Sequence, residues 1–218
     1  MKRKEKRHLK EDELATTLNK FVKFAKKWTK HIIAGFVAVI LICVIILGVK
    51  IVKAHNVKKE SVLLNQIFEI SAELNNDSTK VEELEKLAGK GTLTRIGYLE
   101  LASYWFEKEE WDKTIECLKR IPERNKDIIY YKAKDLVAQV YIKQKKYEDA
   151  LKIYDKIEAK KPKNFPFDVI LFHKAQALEQ KGDIQQATEL YMKIRDEFQE
   201  SYYGYEASQK VAKLEKKK

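Results

Sequence analysis

The sequence is poor in the residues that interrupt helices or cross-link chains. Its 218 residues include only seven glycines and three prolines, whereas 35% are charged. Because turns between strands depend on glycine and proline, this composition argues against an all-β protein and favours exposed helices. Cys43 lies in an apolar run and Cys117 is alone in the rest of the chain, so no disulfide framework is expected.

Catalytic and metal-binding motifs are missing as well. Lys90 lies between Gly89 and Gly91, but the spacing of a phosphate-binding loop does not follow. The histidines are dispersed, at positions 8, 31, 55 and 173, so we expect no metal site. Neighbouring carboxylates at 107–112 are expected on a solvated face. We predict a protein that is not an enzyme and has no cofactor; a deep pocket of converging His, Asp or Glu side chains would contradict this.

The excess positive charge is confined to the N-terminal region. The formal net charge of the chain is +11, and residues 1–31 contribute +7 through eleven Lys or Arg against four Asp or Glu. Residues 54–218 contribute only +2. A nucleic-acid-binding domain carries its own basic surface, so we predict no nucleic-acid partner.

One long apolar run follows the basic region. Residues 32–49 read IIAGFVAVILICVIILGV and contain no charge. A helix of this length extends roughly 27 Å, close to the thickness of the hydrocarbon core of a bilayer. The alternative, a core helix of a soluble domain, would show polar residues along at least one edge. We therefore predict a transmembrane helix over residues 32–49.

Residues 1–31 form a basic leader that we expect in the cytoplasm. Residues 1–10 lack a core pattern and are expected to be a solvated, mobile tail. Residues 11–30 alternate apolar and basic side chains at helical spacing, which predicts an amphipathic helix in the headgroup plane. A helix that contacts a partner protein is the alternative. The expected membrane interface comprises Lys26, Lys27, Trp28 and Lys30.

The basic residues also predict the orientation. More of them precede the apolar run than follow it closely, which places the N-terminus in the cytoplasm and the larger domain outside it. Val52 and Ala54 would suit cleavage of a signal peptide. The apolar run is longer than that of a signal peptide, so we predict an uncleaved, single-pass anchor.

Residues 50–94 are predicted to link the anchor to the C-terminal region. A linking helix with one apolar face is expected to break at residues 75–78, and a short helix that packs on the following domain comes next. Thr79 and Glu82 have the spacing of a capping box, which would open the short helix.

The chain then repeats one pattern three times. Residues 98–121, 134–157 and 171–194 align without gaps. Small residues share one column, at Ala102, Ala138 and Ala175. The second helix of each repeat is predicted to begin at Trp111, Tyr147 and Ile184. Antiparallel helices pack closely where small residues meet, and a single hairpin cannot bury its apolar face, so stacked hairpins are predicted.

This column pattern resembles the tetratricopeptide repeat over residues 95–200. The first copy departs from it with Thr114 at a small position, and the third departs with Leu178. Residues 201–218 are expected to form a capping helix and tail, with Lys210 facing outward. The predicted fold is all-α: an N-terminal transmembrane helix followed by a tetratricopeptide-like helical-hairpin solenoid.

A stack of such hairpins lines a concave surface with its first helices, and this surface is the predicted protein-binding groove. Its predicted residues are Leu99, Ser103, Phe106, Asp135, Gln139, Ile142, Phe172, Gln176 and Glu179. The first of these helices is apolar nearly all round. Residues 57–74 could therefore cover Leu99 and Phe106, and the covered and the open groove are both possible.

The whole layout resembles the YfgM family of ancillary subunits of the Sec translocon. The stretches at 55–61 and 97–102 carry the resemblance, together with the order of leader, span and repeats. It implies a bacterial inner-membrane protein with a periplasmic repeat domain. Its partners would be translocon subunits, periplasmic chaperones or exported chains, whose export or folding it would assist, besides membrane lipids. An anchored scaffold for another envelope assembly, such as division or wall synthesis, is the alternative.

Overall fold

A computed structural model describes residues 3–89, 93–123, 126–162 and 165–216. Within these ranges the regular structure is helical throughout, and no strand occurs. The helices are α1 (Arg3–Glu73), α2 (Lys80–Ala88), α3 (Thr94–Glu107), α4 (Trp111–Lys119), α5 (Ile128–Lys143), α6 (Tyr147–Lys160), α7 (Phe167–Lys181), α8 (Ile184–Glu197) and α9 (Tyr202–Glu215). The all-α prediction is confirmed.

The chain divides into two compact units, residues 1–59 and 60–218. In the first unit, α1 is helical from Arg3, so the helix includes residues 3–10 of the segment that the sequence predicts to be a solvated, mobile tail. Fourteen large apolar side chains between Ile33 and Val52 are 50–69% exposed. Among the described residues this helix is long and apolar enough to cross a membrane, and none of its apolar window is buried.

The second unit begins with the last turns of α1, which pack against α2 and α3. Ile67, Ile70 and Leu74 are buried in one cluster with Leu84 of α2 and Leu101 of α3. This cluster also includes residues of α4 and α5, so the end of α1 is part of the core of the second unit. Because this end of α1 buries an apolar face against the second unit, the helix continues beyond the uncharged run.

The capping box predicted at the start of α2 is wrong. Thr79 is itself helical and its side chain makes no cap hydrogen bond. Asp77 takes that role instead, because its carboxylate accepts from the Thr79 backbone N–H at 2.9 Å and from the Thr79 hydroxyl at 2.6 Å. These hydrogen bonds hold the pKa of Asp77 below its usual range.

Three hairpins follow, formed by α3 and α4, α5 and α6, and α7 and α8. Their second helices begin at Trp111, Tyr147 and Ile184, as the repeat pattern predicts. The small column is fully buried at Ala102, Ala138 and Ala175, and so are its partners Thr114, Ala150 and Ala187 in the second helices. Close contact at these crossings holds each hairpin together.

In each hairpin, the turn between the two helices contains one residue in the left-handed backbone conformation. This residue occupies the same position in all three repeats. Gly182 has a φ of 97°, which glycine adopts without steric cost. Glu109 and Lys145 occupy the same column with φ of 60° and 58°. Each non-glycine residue there costs roughly 1–2 kcal/mol, so the turn geometry is maintained by the packing of the two helices.

A close approach between α2 and α3 depends on Gly97. A Cβ added at Gly97 would lie 2.7 Å from the Cα and Cβ of Ala88, whereas one at Gly89 would meet nothing nearer than 3.6 Å. Only a residue without a side chain allows this helix separation.

We predict that Gly97→Ala destabilises the second unit by about 1–3 kcal/mol, because the added methyl group forces the backbones of α2 and α3 apart. Denaturant unfolding of the full chain in detergent, followed by circular dichroism, measures the change. Gly89→Ala is the matched control and should be nearly neutral, since its φ of −71° suits alanine. Equal effects of the two substitutions would contradict the role given to Gly97.

Candidate protein-binding surface

The first helices of the hairpins, together with α9, stand in a row, and we call their shared side the first-helix face. A polar side-chain contact joins each neighbouring pair of these helices. Arg95 of α3 contacts Asp127 of α5 at 2.6 Å, and Glu179 of α7 contacts Lys210 of α9 at 2.8 Å. Between them, the His173 Nδ1 of α7 lies 2.9 Å from the Asp135 Oδ1 of α5. These contacts fix the row of helices side by side.

The pair between Arg95 and Asp127 also caps a helix. The two terminal guanidinium nitrogens, Nη1 and Nη2, donate to the carboxylate at 2.6 and 2.7 Å. The same carboxylate accepts from the backbone N–H groups of Ile129 and Tyr130 at the start of α5. The bond from Arg95 holds the pKa of Asp127 below its usual range, and the backbone donors act in the same direction.

The predicted groove residues divide into two groups. Six are half-buried on the first-helix face: Leu99, Ser103, Phe106, Gln139, Gln176 and Glu179. The other three, Asp135, Ile142 and Phe172, are only 5–7% exposed. We correct the prediction for these three, because neighbouring helices cover their side chains and they do not line an open surface.

Asp135 is the centre of a buried polar cluster. Its carboxylate accepts from the Tyr154 hydroxyl at 3.1 Å and from the Gln139 amide at 2.9 Å, and it faces the His173 ring. Burial, followed by the charge of Asp135, raises the pKa of Tyr154 well above its usual range. The carboxylate thus has partners on three helices, which satisfies a buried charge.

Glu179 makes a second cluster of the same kind. Its Oε2 accepts from the Tyr191 hydroxyl at 2.9 Å and from Lys210 at 2.8 Å. Burial and then the charge of Glu179 raise the pKa of Tyr191. Lys210 was expected to face outward, and the structure corrects this, because its ammonium group turns toward α7.

Phe172 is buried by rings from two helices. Its ring centroid lies 5.5 Å from that of Tyr191 and 5.1 Å from that of Tyr203, which is on α9. Tyr203 also contacts the His173 ring at 5.9 Å. Tyr203 of the capping helix therefore helps to cover Phe172 on this face.

The apolar end of the face lies on α3. Leu99 is half-buried and packs against the cluster formed by the end of α1 with residues of α2, α3, α4 and α5. Phe106 instead makes an edge contact with Trp111, at 5.3 Å between centroids. The two groove residues on this helix thus have different surroundings.

The opposite side of the array carries a shallow groove of about 510 Å³ between α6, α7 and α8. Lys174 lies in it and binds Asp155 at 2.8 Å and Glu158 at 2.7 Å. Among the residues that the structure describes, no group of three or more His, Cys, Asp or Glu is placed to hold a metal ion.

The predicted membrane interface is described in part. Lys26 and Lys30 are exposed. The side chains of Lys27 and Trp28 lie outside the described residues.

Sequence reasoning missed the partners of Asp135 and Glu179. The periodicity of α5 places Asp135 away from the face that packs against α6. Its partner His173 lies on α7, 38 positions along the chain, so periodicity within one helix does not predict the contact. In the third repeat the column of Asp135 holds Phe172, and His173 lies one position beyond it, so the aligned columns did not indicate this contact.

The stacked hairpins and the row of first helices define the class: an α-solenoid whose repeats form protein-binding surfaces. A family model described as a tetratricopeptide repeat-like domain matches residues 23–218, and the chain belongs to this family. The match includes the apolar run as well as the repeats.

A solved structure of nearly identical tetratricopeptide-like repeats from a putative kinesin light chain of Podosopora anserina is similar in fold. The TM-score is 0.55 at 16% identity, over 71% of this chain and 85% of that one. No curated protein matches the sequence. Membership of this family supports a protein-protein interaction module.

We predict that the second unit loses stability as the pH rises above about 10, partly through Tyr154. Its folded pKa is raised, so the unfolded chain releases this proton first and the stabilisation present below pH 10 is lost. Denaturant unfolding at pH 9, 10 and 11 measures the slope, which Tyr154→Phe should reduce. Tyr202→Phe, at an exposed ring, is the control. The same slope in both variants would disprove the role of Tyr154.

Proposed function

We propose that this protein is a membrane-anchored interaction module of the bacterial inner membrane, with residues 32–49 spanning the bilayer once. The observation that carries the proposal is the set of fourteen exposed apolar side chains between Ile33 and Val52. In water they would remain uncovered by the rest of the chain. A bilayer would cover them, and the helix satisfies its own backbone hydrogen bonds there.

The basic leader supports a cytoplasmic N-terminus and a periplasmic repeat domain. Eleven Lys or Arg precede the apolar run, and Lys26 and Lys30 are exposed just before it. Basic residues are retained on the cytoplasmic side, where anionic lipids also attract them. The domains proposed are a leader at 1–31, the span at 32–49, a linking region at 50–94, repeats at 95–200 and a cap at 201–218.

The partners we propose are translocon subunits, periplasmic chaperones and exported chains. The repeat-like fold supports binding of other proteins. The resemblance of the layout to the YfgM family supports the translocon as the place where that binding assists export or folding. The half-buried residues of the first-helix face are the proposed contact surface.

Cysteine labelling tests the orientation. In a chain with Cys43→Ala and Cys117→Ala, a membrane-impermeant maleimide should label Gln209→Cys in intact spheroplasts. Lys20→Cys should react only after the membrane is opened, because the leader is cytoplasmic. Both sites are exposed, so permeabilised cells provide the positive control for each. Labelling of Lys20→Cys alone in intact spheroplasts would reverse the proposed orientation.

Photocrosslinking in cells tests the partner. A photoreactive amino acid at Gln176, on the first-helix face, should yield products with translocon subunits or exported chains. The same amino acid at Gln186, in the groove on the other side, is the matched control. Products dominated by division or wall-synthesis proteins would reject the translocon and support the scaffold alternative.

A further inference from the structure

The basic leader carries a row of apolar residues with the spacing of a coiled coil. Positions 14, 18, 21, 25 and 28 hold Leu, Leu, Phe, Ala and Trp, and we call these five positions the leader seam. Their separations alternate between four and three residues, which is the repeat of a coiled-coil interface. Of these side chains the structure describes Leu18 and Phe21, which are 69% and 72% exposed. Val22 and Phe24 beside them are also exposed, so the apolar surface is continuous.

The lysines of this segment lie on the opposite side of the helix. With positions 18 and 25 as a, and 14, 21 and 28 as d, the heptad positions b, c and f hold Lys20, Lys23, Lys26, Lys27 and Lys30. The positions e and g that flank the seam, at 15, 17, 22, 24, 29 and 31, hold Ala, Thr, Val, Phe, Thr and His. Charges at e and g decide which helices pair in a coiled coil. A helix this basic therefore pairs with its own copy without bringing lysines together.

The helix does not turn where the leader meets the proposed span. α1 is continuous through both, and residues 1–34 contain no glycine or proline at which it would bend sharply. At 1.5 Å per residue, Phe21 and Leu18 lie roughly 16 and 21 Å before position 32 along the helix axis. The headgroup layer on each side of a bilayer is only about 5–8 Å thick.

Leu18 and Phe21 therefore extend beyond the headgroups into water, even if the helix tilts by about 40°, the upper end of the range for membrane helices. Of the two coverings that the sequence allows for the leader, the headgroup plane and a protein, the continuous helix favours the protein. Lys26 and Lys30 still lie within roughly 9 Å of the span along the axis, close to the headgroups.

A membrane span also supplies the geometry for pairing with a second copy. Copies of one chain insert with the same orientation, so their leaders are parallel and begin at the same depth. Equal seam positions then face each other without a shift in register. A seam of about two heptads is short for a coiled coil in water, but anchoring in one membrane raises the effective concentration of each leader for the other.

We propose that the leader seam binds the leader of a second copy of this chain as a short parallel coiled coil, with its lysines outward. This goes beyond the proposed function. It takes the proposed span as given but not its orientation, because both copies insert the same way in either case. Each assembly then carries two first-helix faces, which strengthens binding to a partner that offers two segments.

Disulfide crosslinking of the full-length chain at high dilution in liposomes tests the seam, in the background without native cysteines. Under mild oxidation, Leu18→Cys and Phe21→Cys should give about tenfold more covalent dimer than Asn19→Cys and Lys23→Cys, because a disulfide needs Cα atoms within about 7 Å. The second pair lies on the same turns of the helix but at outer positions. Equal yields at all four positions, or no dimer at the seam positions, would overturn the pairing.

A charge placed at the seam tests the contact without a crosslink. Leu18→Lys and Asn19→Lys add the same charge at neighbouring positions, but only the first adds it at the seam. Energy transfer between donor-labelled and acceptor-labelled copies in liposomes measures the dimer fraction. Leu18→Lys should weaken pairing about tenfold or more, since it removes an apolar contact and brings like charges together. Asn19→Lys should change it less than about twofold. An equal effect of both substitutions, or none from Leu18→Lys, would also overturn the proposal.

The maleimide labelling separates this proposal from the broader one. If the seam positions crosslink but labelling reverses the orientation, the paired leader stands and the periplasmic role is wrong. If labelling places the leader in the cytoplasm but the seam positions do not crosslink, the anchored module stands and the paired leader is wrong.

Discussion

The fold depends on how closely the two helices of each hairpin approach. Ala102, Ala138 and Ala175 are fully buried at these crossings, and a larger residue there would separate the helices. Thr114 departs from the small column but fits, because its hydroxyl donates to the Glu110 carbonyl of its own helix at 2.9 Å. The left-handed turns at Glu109 and Lys145 persist because this packing holds them.

Close packing within the hairpins leaves their first helices side by side. Polar contacts between these helices then determine which side chains of the first-helix face are exposed. Asp135 and Glu179 are charged, yet each is surrounded by donors from neighbouring helices. The face that results is rich in amide, hydroxyl and apolar groups. The polarity of the first-helix face therefore depends on the contacts that Asp135 and Glu179 make with neighbouring helices, as well as on which residues the face contains.

Local sequence patterns were sufficient to predict the helices of the three hairpins. The repeat columns predicted where α4, α6 and α8 begin, since apolar periodicity and small residues constrain each hairpin independently. They failed at Thr79, where a neighbouring aspartate competes for the same backbone N–H. At such a position the backbone N–H has more than one possible side-chain acceptor, and the sequence pattern does not choose between them.

The apolar run, the three hairpins and the column of small residues were determined by the sequence itself, because each depends on residues close together in the chain. Only the tertiary structure decided which groove residues are accessible. Asp135, Ile142 and Phe172 have the periodicity of a surface, but α6, α7, α8 and α9 supply much of what surrounds them. Periodicity orients a side chain relative to its own helix, and the helices packed against it determine whether water can reach it.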